Sequence, residues 1–372
     1  MSALELLCGD AQTFLAKTWA SSIHVHHTDP DDLVDLLSFD DVDHLLTSTA
    51  IRTPAVRIAQ DGSVLPASAY TRHATLAGQS LTGLLDPGKV FGLFDAGATV
   101  VLQGLHRYWQ PLGALVAELE LALGHPCQAN AYLTPPGSQG FAVHSDSHDV
   151  FVFQTRGSKV WEVHEGNERR TVVLEPGVSM YLPTGTPHAA RAQDTVSLHV
   201  TVGINQVTWK DVLDRTLADA LDREGARHLP AGYLDDPVLL SDGLVERLES
   251  LAAALRHVDP VQVADAEVRR FLTGRTLWQR GGLRDRIAVR DLTGTTTLRR
   301  RPGHPCVLRR EDDRLRVLLG DRELVMPGHL EAALSVVRDS DRLTPADLDL
   351  DEQSRLVLCR RLVRKRLLEV VT

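Results

Sequence analysis

Four cysteines in 372 residues, none paired in a CxxC spacing, are too few and too scattered for a disulfide framework or a thiolate zinc site. Cys8, Cys127, Cys306 and Cys359 suit a reducing compartment, and a cytoplasmic protein is expected. The chain also lacks an apolar run near the roughly 20 residues that span a bilayer, so no membrane association is expected. Its first ten residues lack a basic stretch followed by a long apolar one, so they do not read as a secretory signal. Positive charge is not in excess. With 40 Lys and Arg against 49 Asp and Glu, the formal charge is −9, which argues against nucleic-acid binding by the molecule as a whole. Neither an internal repeat nor a low-complexity linker is evident. The remaining composition, 43% hydrophobic and 24% charged, is that of an ordinary globular protein long enough for two or three domains and a substantial core.

The chemistry is concentrated between Gly140 and His188. The run G-F-A-V-H-S-D-S-H-D-V-F-V-F-Q-T-R-G-S-K-V-W-E-V-H offers His144 and Asp146 at i and i+2, a spacing that puts both side chains on one face of a strand. Further on, Gly177-x5-Pro183-x-Gly185-x2-His188 has the spacing of the second cupin motif. It reads as a strand, a rigid Pro/Gly turn, and a histidine opening the next strand. His144, Asp146 and His188 together make a 2-His-1-carboxylate set, which suits non-haem Fe(II) and leaves coordination positions open. An ordinary cupin has His-x-His and then Glu. Here Asp146 replaces the second histidine and Val150 stands at the Glu position, which points to Fe(II)/2-oxoglutarate oxygenases of the JmjC type. His148 shares the parity of His144 and Asp146 and is a rival ligand, but the cupin spacing makes His188 the better third member.

V-F-V-F-Q-T-R-G-S-K-V-W-E-V reads as a β-hairpin turning at Arg156-Gly157-Ser158, with Lys159 opening the returning strand. A buried lysine is costly unless it meets an anion, and the distal carboxylate of 2-oxoglutarate is such an anion. Tyr132, twelve residues before His144, is a candidate hydroxyl donor to the same carboxylate, and Asn130 would share its face. His199 alternates with apolar neighbours and reads as a packed core histidine. Gln139, Ser145 and Arg156 are candidate pocket residues without an assigned role. The pair at His24 and His26, with His27, has no nearby partner to complete a metal site.

Around this stretch, Leu4–Trp19 and His106–Gly124 read as amphipathic helices and Ala55–Ile58 and Thr99–Leu102 as strands. Tyr70–Asp86 is not determined by periodicity. The spacing of short strands between Gln128 and Asn205 fits an all-β double-stranded helix. From Trp209 to about Arg275 the pattern turns helical. From about Leu283 it becomes two strands joined at Glu311–Asp313, a helix, a short capped turn at Thr344–Leu348, and a long helix over Asp351–Val371. The basic run at Arg360, Arg361, Arg364, Lys365 and Arg366 is preceded by Asp347, Asp349, Asp351 and Glu352, and reads as a solvated helix face rather than a nucleic-acid site.

The segment Q-A-N-A-Y-L-T-P-P-G-S-Q-G-F-A-V-H-S-D-S-H-D-V-F, with the later Pro187-His188, resembles the ribosomal oxygenases, which are JmjC protein hydroxylases. The resemblance extends over most of the chain. It implies an α+β fold: a double-stranded β-helix (cupin/JmjC) barrel with flanking helices at 1–207, a helical dimerisation region at 208–282, and a winged-helix-like module at 283–372. It implies Fe(II) at His144, Asp146 and His188, and 2-oxoglutarate held by Lys159 and Tyr132. Asn130 and Thr201 fall where the family has polar pocket residues. A homodimer is implied, as is hydroxylation of an Arg or His side chain in a ribosomal protein. The alternatives are a tailoring hydroxylase of a peptide or small natural product, a non-enzymatic cupin/winged-helix ligand sensor and, less well matched by the accessory regions, a histone demethylase.

Overall fold

The structure is a computed structural model and describes residues 1–138, 142–166, 168–222 and 228–371. It comprises two compact units, one of residues 1–206, 277–304 and 340–372, the other of 207–276 and 305–339.

The first unit is built on thirteen strands up to residue 204: β1 (His24–His27), β2 (Val56–Gln60), β3 (Ser63–Val64), β4 (Thr71–Leu76), β5 (Gln79–Leu85), β6 (Thr99–Leu102), β7 (Cys127–Thr134), β8 (Asp149–Arg156), β9 (Lys159–Glu165), β10 (Glu168–Leu174), β11 (Val178–Leu182), β12 (His188–Ala192) and β13 (Ser197–Ile204). Eight of them form one antiparallel sheet in the order β1-β11-β8-β13-β7-β6-β2-β3. Strands β10-β9-β12 form a second sheet, and β4-β5 is a separate hairpin over the stretch that periodicity left open. The continuous apolar run of β8 follows from burial on both faces. Val150 and Val152 pack inward with Trp161, Val163 and Met180. Phe151 and Phe153 point the other way, into a larger core shared with Leu112, Leu115 and Leu119 of the helix Gln110–Leu123.

Three expected elements take a different form. β8 and β9 are not a hairpin, because they lie in different sheets. Gly157, at φ 62°, turns the chain from one sheet to the other, and a Cβ there would lie 2.0 Å from the Val196 carbonyl oxygen. β9 pairs instead with β10 and β12. The single helix expected over Leu4–Trp19 is two, Ala3–Cys8 and Ala11–Lys17. Gly9 ends the first at φ 76° and the Asp10 carboxylate caps the second. The terminal helix stops at Arg364. Arg366 adopts φ 72°, and Leu368–Val370 becomes a strand.

That strand explains why residues 283–372 are not one compact body. Leu298–Arg300 pairs with both Leu368–Val370 and Arg342–Leu343, so the two ends of the region belong to the first unit. Trp278 donates to the His106 carbonyl at 2.6 Å, and Arg301 pairs with Asp285. The second unit contains the helices Trp209–Asp222, Val238–Arg256 and Pro260–Gly274, with a meander of Val307–Glu311, Arg314–Leu318 and Glu323–Pro327, and the helix Glu331–Asp339. Arg215 clasps Glu267 through two hydrogen bonds, and Arg269 meets Glu323 at 2.7 Å. All four cysteines are free and buried.

Candidate metal centre and its cavity

His188 opens β12 directly after the Pro183–Pro187 turn, as its motif requires. His144 and Asp146 are not on a regular strand. They lie in the segment ahead of β8, where His144 forms an isolated bridge with His188. The bridge is reciprocal: the His144 N–H donates to the His188 carbonyl at 3.1 Å, and the His188 N–H donates to the His144 carbonyl at 2.8 Å. Two residues on, the Gly185 N–H reaches the Asp146 carbonyl at 2.9 Å. The two motifs, far apart in the chain, are thus fastened backbone to backbone.

One potential ligand atom from each of His144, Asp146 and His188 lies within 4.8 Å of the others, and among the described residues this is the group of that kind. Nδ1 of His144 is 2.9 Å from the Ala142 carbonyl, and Nδ1 of His188 is 2.9 Å from the Thr186 carbonyl. A carbonyl only accepts, so each Nδ1 carries the proton and each Nε2 keeps its lone pair for a metal. His188 is buried, and that burial lowers its pKa, favouring the neutral form a ligand needs. The Asp146 carboxylate lies 3.8 Å from His188 Nε2. Two imidazole nitrogens and one carboxylate on one side of a cavity are a donor set that fits a divalent transition metal and leaves its other side open.

The centre opens into a cavity of about 740 Å³. All seven candidate site residues line it: His144, Asp146, His188, Lys159, Tyr132, Asn130 and Thr201. The β7–β13 register explains the polar wall, setting Asn130 opposite Thr201 and Tyr132 opposite His199. Tyr132 stacks on His199 with ring centroids 4.8 Å apart, and its hydroxyl shares hydrogen bonds with Thr201 and Arg57. Asn130 Oδ1 accepts from the Gly104 N–H at 3.0 Å, which leaves its amide nitrogen as the group to meet a ligand. Lys159 is 3% exposed. Its ammonium donates to Thr134 Oγ1 at 3.1 Å, and burial pushes its pKa down to about 7.

His199 also faces the cavity. Burial, and then the nearby Lys159, hold it well below the usual imidazole pKa. Its Nδ1 and the indole nitrogen of Trp161 are buried without a hydrogen-bond partner among the described residues. Such orphaned polar atoms beside a buried lysine suit a polar ligand. Sequence reasoning missed Arg57 and Trp161 as cavity residues, and Thr134 as the partner of Lys159. The one available signal was a lone arginine inside the apolar strand A-V-R-I-A. His148 lines the cavity but stands outside the ligand group, against Gly203, where a Cβ would come within 2.5 Å of its Nε2. Ser145 is exposed and off the wall. Arg156 lies over the Phe39 ring instead. Gln139 lies outside the described residues. His24 binds the Cys8 carbonyl at 3.0 Å as part of β1.

The JmjC domain family matches residues 106–212. Ribosomal oxygenase 1 of Homo sapiens is 30% identical over 302 residues, covering 70% of this chain and 45% of that protein. The bifunctional lysine-specific demethylase and histidyl-hydroxylase NO66 of Branchiostoma floridae is 36% identical over 195 residues, covering 48% of this chain and 32% of that one. The chain thus spans less than half the length of these curated relatives. Among solved structures, YcfD, a ribosomal oxygenase from Escherichia coli, aligns over 98% of this chain and 99% of its own, with a TM-score of 0.58 and 19% identity. The same protein in complex with cobalt and 2-oxoglutarate aligns with a TM-score of 0.55. At this identity the likeness establishes a shared JmjC/cupin-type fold.

Proposed function

Because residues 106–212 are a JmjC domain and the chain is related to the ribosomal oxygenases, we propose that it is an Fe(II)- and 2-oxoglutarate-dependent oxygenase that hydroxylates a protein side chain. The observation that carries this reading is the joint presence, in one cavity, of a 2-His-1-carboxylate group and a fully buried lysine. Iron and 2-oxoglutarate would supply the oxidising chemistry, which belongs to the cofactor set.

The chain supplies geometry. His144 and His188 present Nε2, and Asp146 presents a carboxylate oxygen. Lys159 pairs with the distal carboxylate of 2-oxoglutarate, an ion pair made strong by a charged donor in a site removed from water. The Tyr132 hydroxyl is a second donor to that carboxylate. Asn130 and Thr201 complete the polar wall. Trp161, packed between β9 and the cavity, excludes water.

The substrate is a side chain of a ribosomal protein, an arginine or a histidine. The charge of the wall favours histidine. Among the described lining residues the only carboxylate is that of Asp146, a metal ligand, whereas Arg57 and Arg107 add positive charge. A guanidinium would enter unpaired at high desolvation cost. A neutral imidazole can accept from donors already present. The helices from 208 to 282 serve as a homodimer interface. No helix among the described residues is long and apolar enough to cross a membrane.

The test is succinate release from 2-oxoglutarate by anaerobically Fe(II)-loaded protein once air is admitted, with and without total ribosomal protein, followed by mass spectrometry. Stimulated turnover and one ribosomal protein gaining a single oxygen are expected. Uncoupled turnover without a modified protein would shift the reading to a tailoring hydroxylase. No turnover and no 2-oxoglutarate binding would leave the ligand sensor.

A further inference from the structure

We infer that Asp149 is a positioning residue for the metal centre, acting through the turn that aims His188. The inference rests on the reading of His144, Asp146 and His188 as metal ligands. Asp149 opens β8 and is 3% exposed. A buried carboxylate needs donors, and the structure supplies three. The Thr184 N–H and the Thr184 hydroxyl donate to Oδ1 at 2.8 and 2.7 Å, and the Tyr181 hydroxyl donates to Oδ2. Tyr181 is itself fixed by the Ala20 N–H at 2.9 Å. Gln206 closes a ring: its amide nitrogen donates to the Thr184 hydroxyl at 2.5 Å, and its Oε1 accepts from the Asp149 N–H at 3.4 Å.

The consequence lies in what Thr184 belongs to. Pro183–Pro187 is the turn between β11 and His188, and it is clasped to the segment carrying His144 and Asp146 at three levels. These are His144 with His188, Asp146 with Gly185, and Asp149 with Thr184. The first two clasps are backbone to backbone and independent of side-chain identity. The third depends on one carboxylate. Asparagine can accept on one atom only, and its NH₂ group faces a hydroxyl or N–H donor on the other side. Asp149→Asn therefore loosens the end of the ladder that sets the angle of His188.

The experiment is Co(II) binding to the full chain, followed by visible absorption, beside thermal unfolding of the metal-free protein. Asp149→Asn should weaken Co(II) affinity by up to about tenfold, the lower end of the loss seen when a direct partner of a metal ligand is removed, because it acts one residue removed, through Thr184, and should alter the Co(II) spectrum. Thr184→Val, which keeps the backbone donor, should show a smaller loss in the same direction and covers the case in which Asp149→Asn does not fold. Phe153→Leu, on the same strand but facing away from the centre, should lower the melting temperature without changing Co(II) affinity or spectrum. Wild-type affinity and spectrum in both clasp variants would overturn the inference, as would an affinity loss in Phe153→Leu matching its stability loss. Failure of the wild-type chain to bind Co(II) would instead overturn the metal-ligand reading beneath it.

Discussion

Lys159 has a charge state that its surroundings and its ligand pull in opposite directions. Burial alone lowers its pKa from 10.5 to about 7 in the folded protein. The unfolded chain therefore binds more protons between those values, and stability rises with pH across that window. Below about pH 7 the charged form is buried at full cost. Lys159→Met should raise the melting temperature of metal-free protein near pH 6 and abolish the rise with pH, as scanning calorimetry would show. A dianionic ligand favours the ammonium. Affinity for 2-oxoglutarate should be greatest below about pH 7 and fall towards tenfold per unit above it. Isothermal titration of Mn(II)-loaded protein checks this, and Lys159→Met should bind weakly at every pH without that slope. At the same scale, His144→Ala should abolish 2-oxoglutarate turnover. Retained iron-dependent turnover would remove His144 from the site.

The helix Gln110–Leu123 shows propensity losing to packing. Gly113 sits inside it, where alanine would ordinarily be favoured by about 1 kcal/mol. A Cβ at Gly113 would lie 1.9 Å from Nε1 of Trp278, which is held by its bond to the His106 carbonyl. His106 lies on the cavity wall, and its Nδ1 accepts from the Ala129 N–H at 3.1 Å. Gly113→Ala should therefore destabilise, by about 2 kcal/mol from overpacking net of the propensity gain, measured by urea unfolding. A stabilised variant would show that Trp278 moves aside freely. Gly157 is constrained more severely, since β8 must leave one sheet and β9 enter the other through a left-handed residue pressed against a carbonyl.

At the scale of the whole molecule, the helical part of the second unit presents exposed leucines. Leu213, Leu217 and Leu221 on one helix, and Leu244 and Leu248 on the next, are each 37–62% exposed, a density of apolar surface that marks an interaction site. If a second copy covers it, replacing Leu244 and Leu248 together by arginine should halve the sedimenting mass while leaving far-ultraviolet circular dichroism unchanged. A wild-type chain that already sediments as a monomer would defeat the homodimer proposal.

Local spacing by itself singled out the candidate ligands His144, Asp146 and His188 and the run of short strands that carries them. His144-x-Asp146 and the Pro/Gly turn before His188 are short-range patterns whose geometry follows from a few backbone angles, so they were legible one stretch at a time. So was the alternation that puts Asn130 and Tyr132 on one face. Only the tertiary structure decided what depends on partners distant in sequence. It set β8 and β9 in separate sheets although a turn-like Arg156-Gly157-Ser158 joins them. It turned residues 368–370 into a strand because Leu298–Arg300 was there to pair with, and so divided the C-terminal region between two units. It also brought Arg57, His199 and Trp161 to the cavity wall and set Asp149 against Thr184, 35 residues away. A buried charge is tolerated where donors converge on it, and that convergence belongs to the folded chain.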